Sequence, residues 1–306
     1  MKAVVIGAGK MATDCIRLIK AAGVELPLTV TTLSANAFGT SVKNLPPETE
    51  LVETRSLKDL RDKVCAAKPD VIFSINNFLI VPDSVFAIAP KGIINFHNAP
   101  LPRYGGLNAC SWAIINGEKA HAVTWHYMSS MIDAGDLILQ DHFPIDPTDT
   151  GIKLLMKCIL RGTNLFGELL VKLQMNSLSR IPQDLTKRTY FGKKDLPNSG
   201  KADFTWPFQK LNDFIRGLNF NPVPNMFVYP EAILNGERFL IDRIERLPAQ
   251  ADVSPGRISE VSVDGICVQG VDSTIKLCEV RGSDAQTLSM KDFIQKYKIK
   301  INDVIL

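Results

Sequence analysis

Three polar side chains of different chemistry stand close together in the middle of the chain. Asn95 and His97 flank Phe96 at the end of the apolar run Ile93-Ile94, and Asp133 follows in a loop just ahead of Gly135-Asp136. An uncharged amide can donate hydrogen bonds to a developing negative charge. An imidazole can donate or pass a proton, and a carboxylate can orient an imidazole or accept a proton. The blander reading is a strand end whose polar residues are merely solvated. The chain has only four histidines, however, and this one is wedged between Asn95 and the Pro100-Leu101-Pro102 turn. Ser111 and Ser129 lie nearby without a nucleophile's sequence context, and nothing has metal-ligand spacing.

The elements that must carry these groups read as strands alternating with helices. Lys2 to Ile6 is an apolar strand, and Gly7-Ala8-Gly9-Lys10-Met11-Ala12 turns it into a helix to about Ala22. This has the G-x-G-x-x-A form of a dinucleotide fingerprint, which keeps a nicotinamide oxidoreductase in the field. The acidic residue that should end the next strand is missing, since Leu28 to Thr32 closes on Thr31-Thr32 and Glu25 lies at the wrong end. A tight turn needing small residues is the better account. Residues 33 to 50 read as a loop, Leu51 to Glu53 as a short strand, Leu57 to Ala67 as a helix and Asp70 to Ile75 as a fully buried strand that opens into Asn76 to Ile80. The fold class is therefore α/β, with a doubly wound parallel sheet. Ala122 to Tyr127 and Leu137 to Pro144 add strands around Asp133. On the first of these His126 reads as a structural histidine, satisfied in the core, rather than a site residue. Thr150 to Leu173 has helical periodicity, with Thr148 or Asp149 as its cap.

Between Gly92 and Gln140 the chain resembles the folate-dependent formyltransferases, which act on methionyl-tRNA, glycinamide ribonucleotide and amino sugars. The resemblance rests on Asn95-Phe96-His97, Leu101-Pro102, Gly106, Trp112-Ala113 and Asp133-Ala134-Gly135-Asp136 in that order. Many members carry Ser-Leu-Leu-Pro where Ala99-Pro100-Leu101-Pro102 stands here, and Arg or Lys where Gly105 stands. The resemblance implies a Rossmann-like formyltransferase fold with Asn95, His97 and Asp133 as the catalytic residues. It implies 10-formyltetrahydrofolate as formyl donor, bound along Asn77, Phe78, Leu79, Ile80 and Asp136. In its light Asn95 would stabilise the formyl oxygen, while His97 and Asp133 would handle the amine's proton, with their division of labour open.

Past Gln183 the pattern dissolves into basic residues and the breaker run Pro197-Asn198-Ser199-Gly200, which reads as a connector. Trp206 to Gly217 reads as a short helix, and Asn235-Gly236 and Asp264-Gly265 as hairpin turns in a β-rich tail. The expected division is a catalytic domain over 1–190 and a smaller barrel-like domain of the oligonucleotide-binding (OB) type over 204–306. The resemblance extends weakly to such a tail. Residues 204–306 hold twelve Lys and Arg against thirteen Asp and Glu, a poor match to a phosphate backbone. In tRNA-specific members the loop over 33–50 is a basic insertion, and here only Lys43 is basic. The expected acceptor is thus a small amine, on a nucleotide-linked sugar or a natural-product precursor. Methionyl-tRNA is the alternative, and tRNA stays open as a partner. A formyltetrahydrofolate hydrolase is a further alternative.

With 306 residues, 45% apolar content and a net charge of +3, the chain reads as an ordinary soluble protein. Its six cysteines show no paired spacing and read as reduced thiols, mostly buried. No signal peptide and no membrane-spanning run is recognisable, so a cytoplasmic location is expected. Oligomeric state is left undetermined.

Overall fold

The computed structural model describes residues 1–31, 49–54, 56–77, 79–249 and 254–306. Most of the loop expected over 33–50, and the folate-contact candidate Phe78, lie outside the described residues. Among those described, contacts separate two compact units. One comprises 1–109, 120–144 and 155–192, the other 110–119, 145–154 and 193–306.

The first unit is built on a seven-stranded sheet in the order β3-β2-β1-β4-β5-β7-β8. Its strands are β1 (Lys2–Gly7), β2 (Glu25–Thr31), β3 (Glu50–Glu53), β4 (Val71–Ile75), β5 (Ile93–His97), β7 (Ala120–Tyr127) and β8 (Leu137–Pro144). The first five run parallel, but β7 is antiparallel to β5 and β8 antiparallel to β7. The sheet is therefore mixed, where a purely parallel one was expected. For β8 the reason is connectivity: residues 128–136 leave no room for the crossover that a parallel return from β7 would need.

Both faces of the parallel part are covered, and the period-two alternation of β1 shows how. Ala3 and Val5 pack with α1 (Gly9–Ala21) and α5 (Gly151–Gln174), while Val4 and Ile6 pack with α2 (Leu57–Ala67) and α3 (Asp83–Phe86). In α1 the residues Met11, Ala12, Cys15, Ile16 and Ile19 form the buried helical stripe. The turn that opens α1 owes its first glycine to packing, because a Cβ on Gly7 would lie 2.1 Å from the Ile75 carbonyl oxygen. Helix α5 is capped one residue later than expected, at Thr150, whose Oγ1 accepts from the Lys153 N–H at 3.4 Å. Asp149 instead accepts from the Asp146 N–H at 2.8 Å.

In the second unit α6 (Phe208–Leu218) and α7 (Met290–Tyr297) pack on a six-stranded sheet. Its strands are β10 (Glu231–Leu234), β11 (Glu237–Leu247), β12 (Ile258–Ser262), β13 (Gly265–Gln269), β14 (Thr274–Gly282) and β15 (Thr287–Leu288). Asn235-Gly236 makes the expected turn, both residues at positive φ. The second turn shifts by one residue to Val263-Asp264, because Gly265 already pairs with Ser262. The sheet is an open path, β10-β11-β14-β13-β12 with β15 on β14, so closure into an OB-type barrel is not reached by strand pairing among the described residues. Isolated bridges join Leu234 to Ile305 and Arg257 to Val304. None of the six cysteines forms a disulfide, and four are buried. No helix of the described residues is long and apolar enough to cross a membrane.

Candidate active site

The antiparallel register of β5 and β7 sets Asn95 directly against His126. Residues two apart on a strand share a face, so Asn95, His97 and His126 converge on one side of the sheet. The Asn95 amide nitrogen lies 3.1 Å from Nε2 of His126 and donates to the Phe96 carbonyl oxygen at 3.1 Å. Nδ1 of His126 stands 2.8 Å from the Tyr127 carbonyl, which can only accept, so this nitrogen carries a hydrogen. With the neutral ring so assigned, Nε2 accepts from Asn95. His126 is buried and satisfied, as a core histidine should be. The structure adds to that reading that one of its partners is Asn95 and that Nε2 lies 3.6 Å from Oδ1 of Asp133.

His97 is buried as well. Its Nε2 meets the Tyr104 carbonyl at 2.8 Å and donates to it, and its Nδ1 lies 3.7 Å from Oδ2 of Asp133. Asp133 projects from the loop between β7 and β8 with a left-handed backbone (φ 54°), a conformation uncommon outside glycine though Asp adopts it more readily than most. A short strand, β6 (Gly105–Gly106), helps to fix the side chain, the Gly106 N–H donating to Oδ2 at 2.8 Å. Burial pushes the Asp133 carboxyl up, but the imidazoles of His97 and His126 and the Gly106 N–H overcome it. They hold the group well below the usual carboxylate range. The outcome is an ionised carboxylate between two imidazoles, with an amide donor alongside.

The segment after β4 is shaped by Asn77. Its side-chain oxygen accepts from the Leu79 N–H at 2.9 Å, and its nitrogen donates to the Leu79 carbonyl at 2.9 Å. Asn77 is therefore engaged in folding the loop, and Leu79's own backbone groups are paired. Ile80 is exposed. Asp136 lies 3.6 Å from the Arg180 guanidinium, which stacks on the Tyr127 ring at 3.6 Å. Ser111 is fully buried and Ser129 donates to the Met131 carbonyl, so neither serine meets the constellation.

Residues 183–192 are not a free connector. They lie along the site, with β9 (Tyr190–Phe191) parallel to β6 and the side chains of Gln183 and Arg188 on the Asp133 loop. No local pattern in the sequence marks these contacts.

Residues 19–166 match the family model described as formyl transferase, and residues 197–298 match that of the formyl transferase C-terminal domain. The chain belongs to the formyltransferase family. The first match holds Asn95, His97, His126 and Asp133 alike. A methionyl-tRNA formyltransferase of Alkaliphilus oremlandii is 25% identical over 317 aligned residues, covering 100% of this chain and 99% of that protein. Among solved structures, WlaRD, a sugar 3N-formyltransferase, superimposes with a TM-score of 0.70 at 20% identity, covering 94% of this formyltransferase and 98% of that chain. An N-formyltransferase from Helicobacter canadensis, solved with folinic acid and dTDP-3-aminofucose, gives 0.69 at 20% identity, covering 94% and 100%. At that identity the likeness is one of fold.

Proposed function

We propose that this formyltransferase moves a formyl group from 10-formyltetrahydrofolate to a primary amine on a small molecule, an amino-sugar nucleotide or a natural-product precursor. The observation that carries the reading is the Asn95–His126–Asp133–His97 constellation, its two histidines buried, inside a formyltransferase-family match. In the transfer the amine nitrogen bonds to the formyl carbon, the bond from that carbon to the folate nitrogen breaks, and the amine loses a proton. Negative charge grows on the formyl oxygen, where the Asn95 N–H serves as donor. Asp133, kept ionised, is a weak base in the resting site. The amine's proton passes to Nδ1 of His97, which faces Asp133 and carries no hydrogen in the resting ring, and returns to the departing folate nitrogen. His126 aligns Asn95 from behind.

For the donor, the proposed contacts are Asn77, Phe78, Leu79, Ile80 and Asp136, Asn77 acting by shaping its loop. The Helicobacter canadensis relative, solved with a reduced folate and an amino-sugar nucleotide, supports both substrates. A second reading, methionyl-tRNA as acceptor, is favoured by the end-to-end similarity to the Alkaliphilus oremlandii protein. The near-neutral charge of residues 204–306 weighs against it. We further assign catalysis to 1–190, and read 204–306 as an OB-like barrel that the last residues close through the Leu234–Ile305 and Arg257–Val304 bridges. Six cysteines without a disulfide suit the cytoplasm. The test is a panel of amines, amino-sugar nucleotides included, incubated with 10-formyltetrahydrofolate and read by mass spectrometry for a formyl adduct. Formylation of methionyl-tRNA alone would replace the small-amine reading, and no adduct on any acceptor would defeat both.

A further inference from the structure

The loop that presents Asp133 is held from outside by a segment about fifty residues further along the chain. The Gln183 side-chain nitrogen donates to the Asp133 carbonyl at 3.0 Å and to the Gly135 carbonyl at 2.6 Å, using both of its hydrogens. Arg188 donates to the preceding carbonyl, that of Ile132, at 3.2 Å. The same segment also fixes the other side of Asp133. The Gly105 N–H donates to the Thr189 carbonyl at 2.9 Å, the Tyr104 N–H to the Thr189 hydroxyl at 2.8 Å and the Leu107 N–H to the Phe191 carbonyl at 2.8 Å. These bonds set Gly106, whose N–H grips the carboxylate. Contact here is close, since a Cβ on Gly106 would fall 2.2 Å from the Phe191 carbonyl oxygen.

The orientation of the Gln183 amide follows from its partners. Both neighbours are carbonyl oxygens, so only the NH2 end can face them, and Oε1 is left buried with no hydrogen-bond partner among the described residues. A side chain that leaves a buried acceptor unpaired in order to bridge two carbonyls is committed to that bridge. What the bridge holds is a left-handed backbone at the residue carrying the carboxylate.

We propose that Gln183 is a positioning residue for formyl transfer, holding Asp133 where His97, His126 and the Gly106 N–H meet its carboxylate. This rests on the formyl-transfer reading of the site. A loosened loop changes the distance between the carboxylate and the imidazoles, and small misplacements of catalytic groups cost large factors in rate. It also weakens the interactions that keep the Asp133 carboxyl low. The groups that face this carboxyl are His97 from β5, His126 from β7 and the Gly106 N–H from β6, while Gln183 holds the Asp133 and Gly135 carbonyls and Arg188 that of Ile132.

The experiment uses the full chain with Gln183→Ala and Gln183→Met, which keeps the length and stays uncharged but offers no donor. Both should lower kcat by roughly 10–100-fold, with the KM for the folate donor changed less than about threefold, as expected of a group that acts mainly in the transition state. A carbon-13 NMR titration should show the Asp133 carboxyl moving to higher pH in both variants, a readout independent of which amine is the acceptor. Wild-type kcat in both variants with an unshifted Asp133 titration would overturn the proposal. So would a fall in kcat accompanied by equal loss of folate affinity and of melting temperature, which marks a purely structural role. Absence of formyl transfer by the wild type would instead overturn the reading of the site, and the titration shift would still decide whether Gln183 positions Asp133.

Discussion

Asn95 has both amide hydrogens engaged in the resting site, one on the Phe96 carbonyl and one on His126. For Asn95 to donate to the formyl oxygen, one of these hydrogens must leave or share its present acceptor as charge develops there. Asn95→Ala is therefore expected to lower kcat by ~100-fold or more while leaving folate affinity nearly unchanged, measured by steady-state kinetics and calorimetry. Asp133→Asn should damage activity at least as much, because it removes the negative charge beside the imidazole that takes the amine's proton. The same variant has a stability signature. The Asp133 carboxyl titrates lower folded than unfolded, so its ionised form stabilises the fold above the unfolded value of about 3.9. That contribution is lost as pH falls through the folded value. Urea denaturation should show Asp133→Asn less stable than wild type at pH 7, with the gap narrowing below about pH 4.

Helix α5 shows how an element's sequence is read by its neighbours. At Gly162 a Cβ would meet the Phe96 ring at 2.2 Å and the Met11 methyl at 2.8 Å, while at Gly167, five residues on, it would meet nothing within 4 Å. Propensity alone predicts that either glycine, changed to alanine, gains about 0.5–1 kcal/mol. Packing reverses the sign at the first position. Gly162→Ala should destabilise by about 1–3 kcal/mol and disturb Phe96, which sits between Asn95 and His97 and leans on Trp125 with ring centres 5.3 Å apart. Gly167→Ala should raise the melting temperature. Thermal melts of the two variants compare them directly, and equal shifts would disprove the packing account.

At the scale of the whole chain the open question is the acceptor. Residues 204–306 are slightly acidic in sum, and a protein that binds tRNA through its phosphates loses affinity steeply as salt rises. Bulk tRNA is expected to bind weakly and with a shallow salt dependence, measured by fluorescence anisotropy at 50 and 200 mM salt. Tight binding that falls by about three decades or more over that range would point to methionyl-tRNA instead.

Asn95 and His97 were legible in the sequence because two residues of one strand, spaced by the sheet's own period, must share a face. The apolar runs of the parallel strands were legible for the same local reason: a strand covered on both faces has no polar side to show. Asp133 was legible only through an ordered family pattern. His126 entered the site through the antiparallel register that sets it against Asn95. Gln183 entered through a chain reversal that brings it back onto the Asp133 loop across fifty residues. Periodicity and turn chemistry report on a residue's immediate neighbours. Register and long-range hydrogen bonding depend on which distant backbone groups find each other as the core closes, and only the tertiary structure decides that.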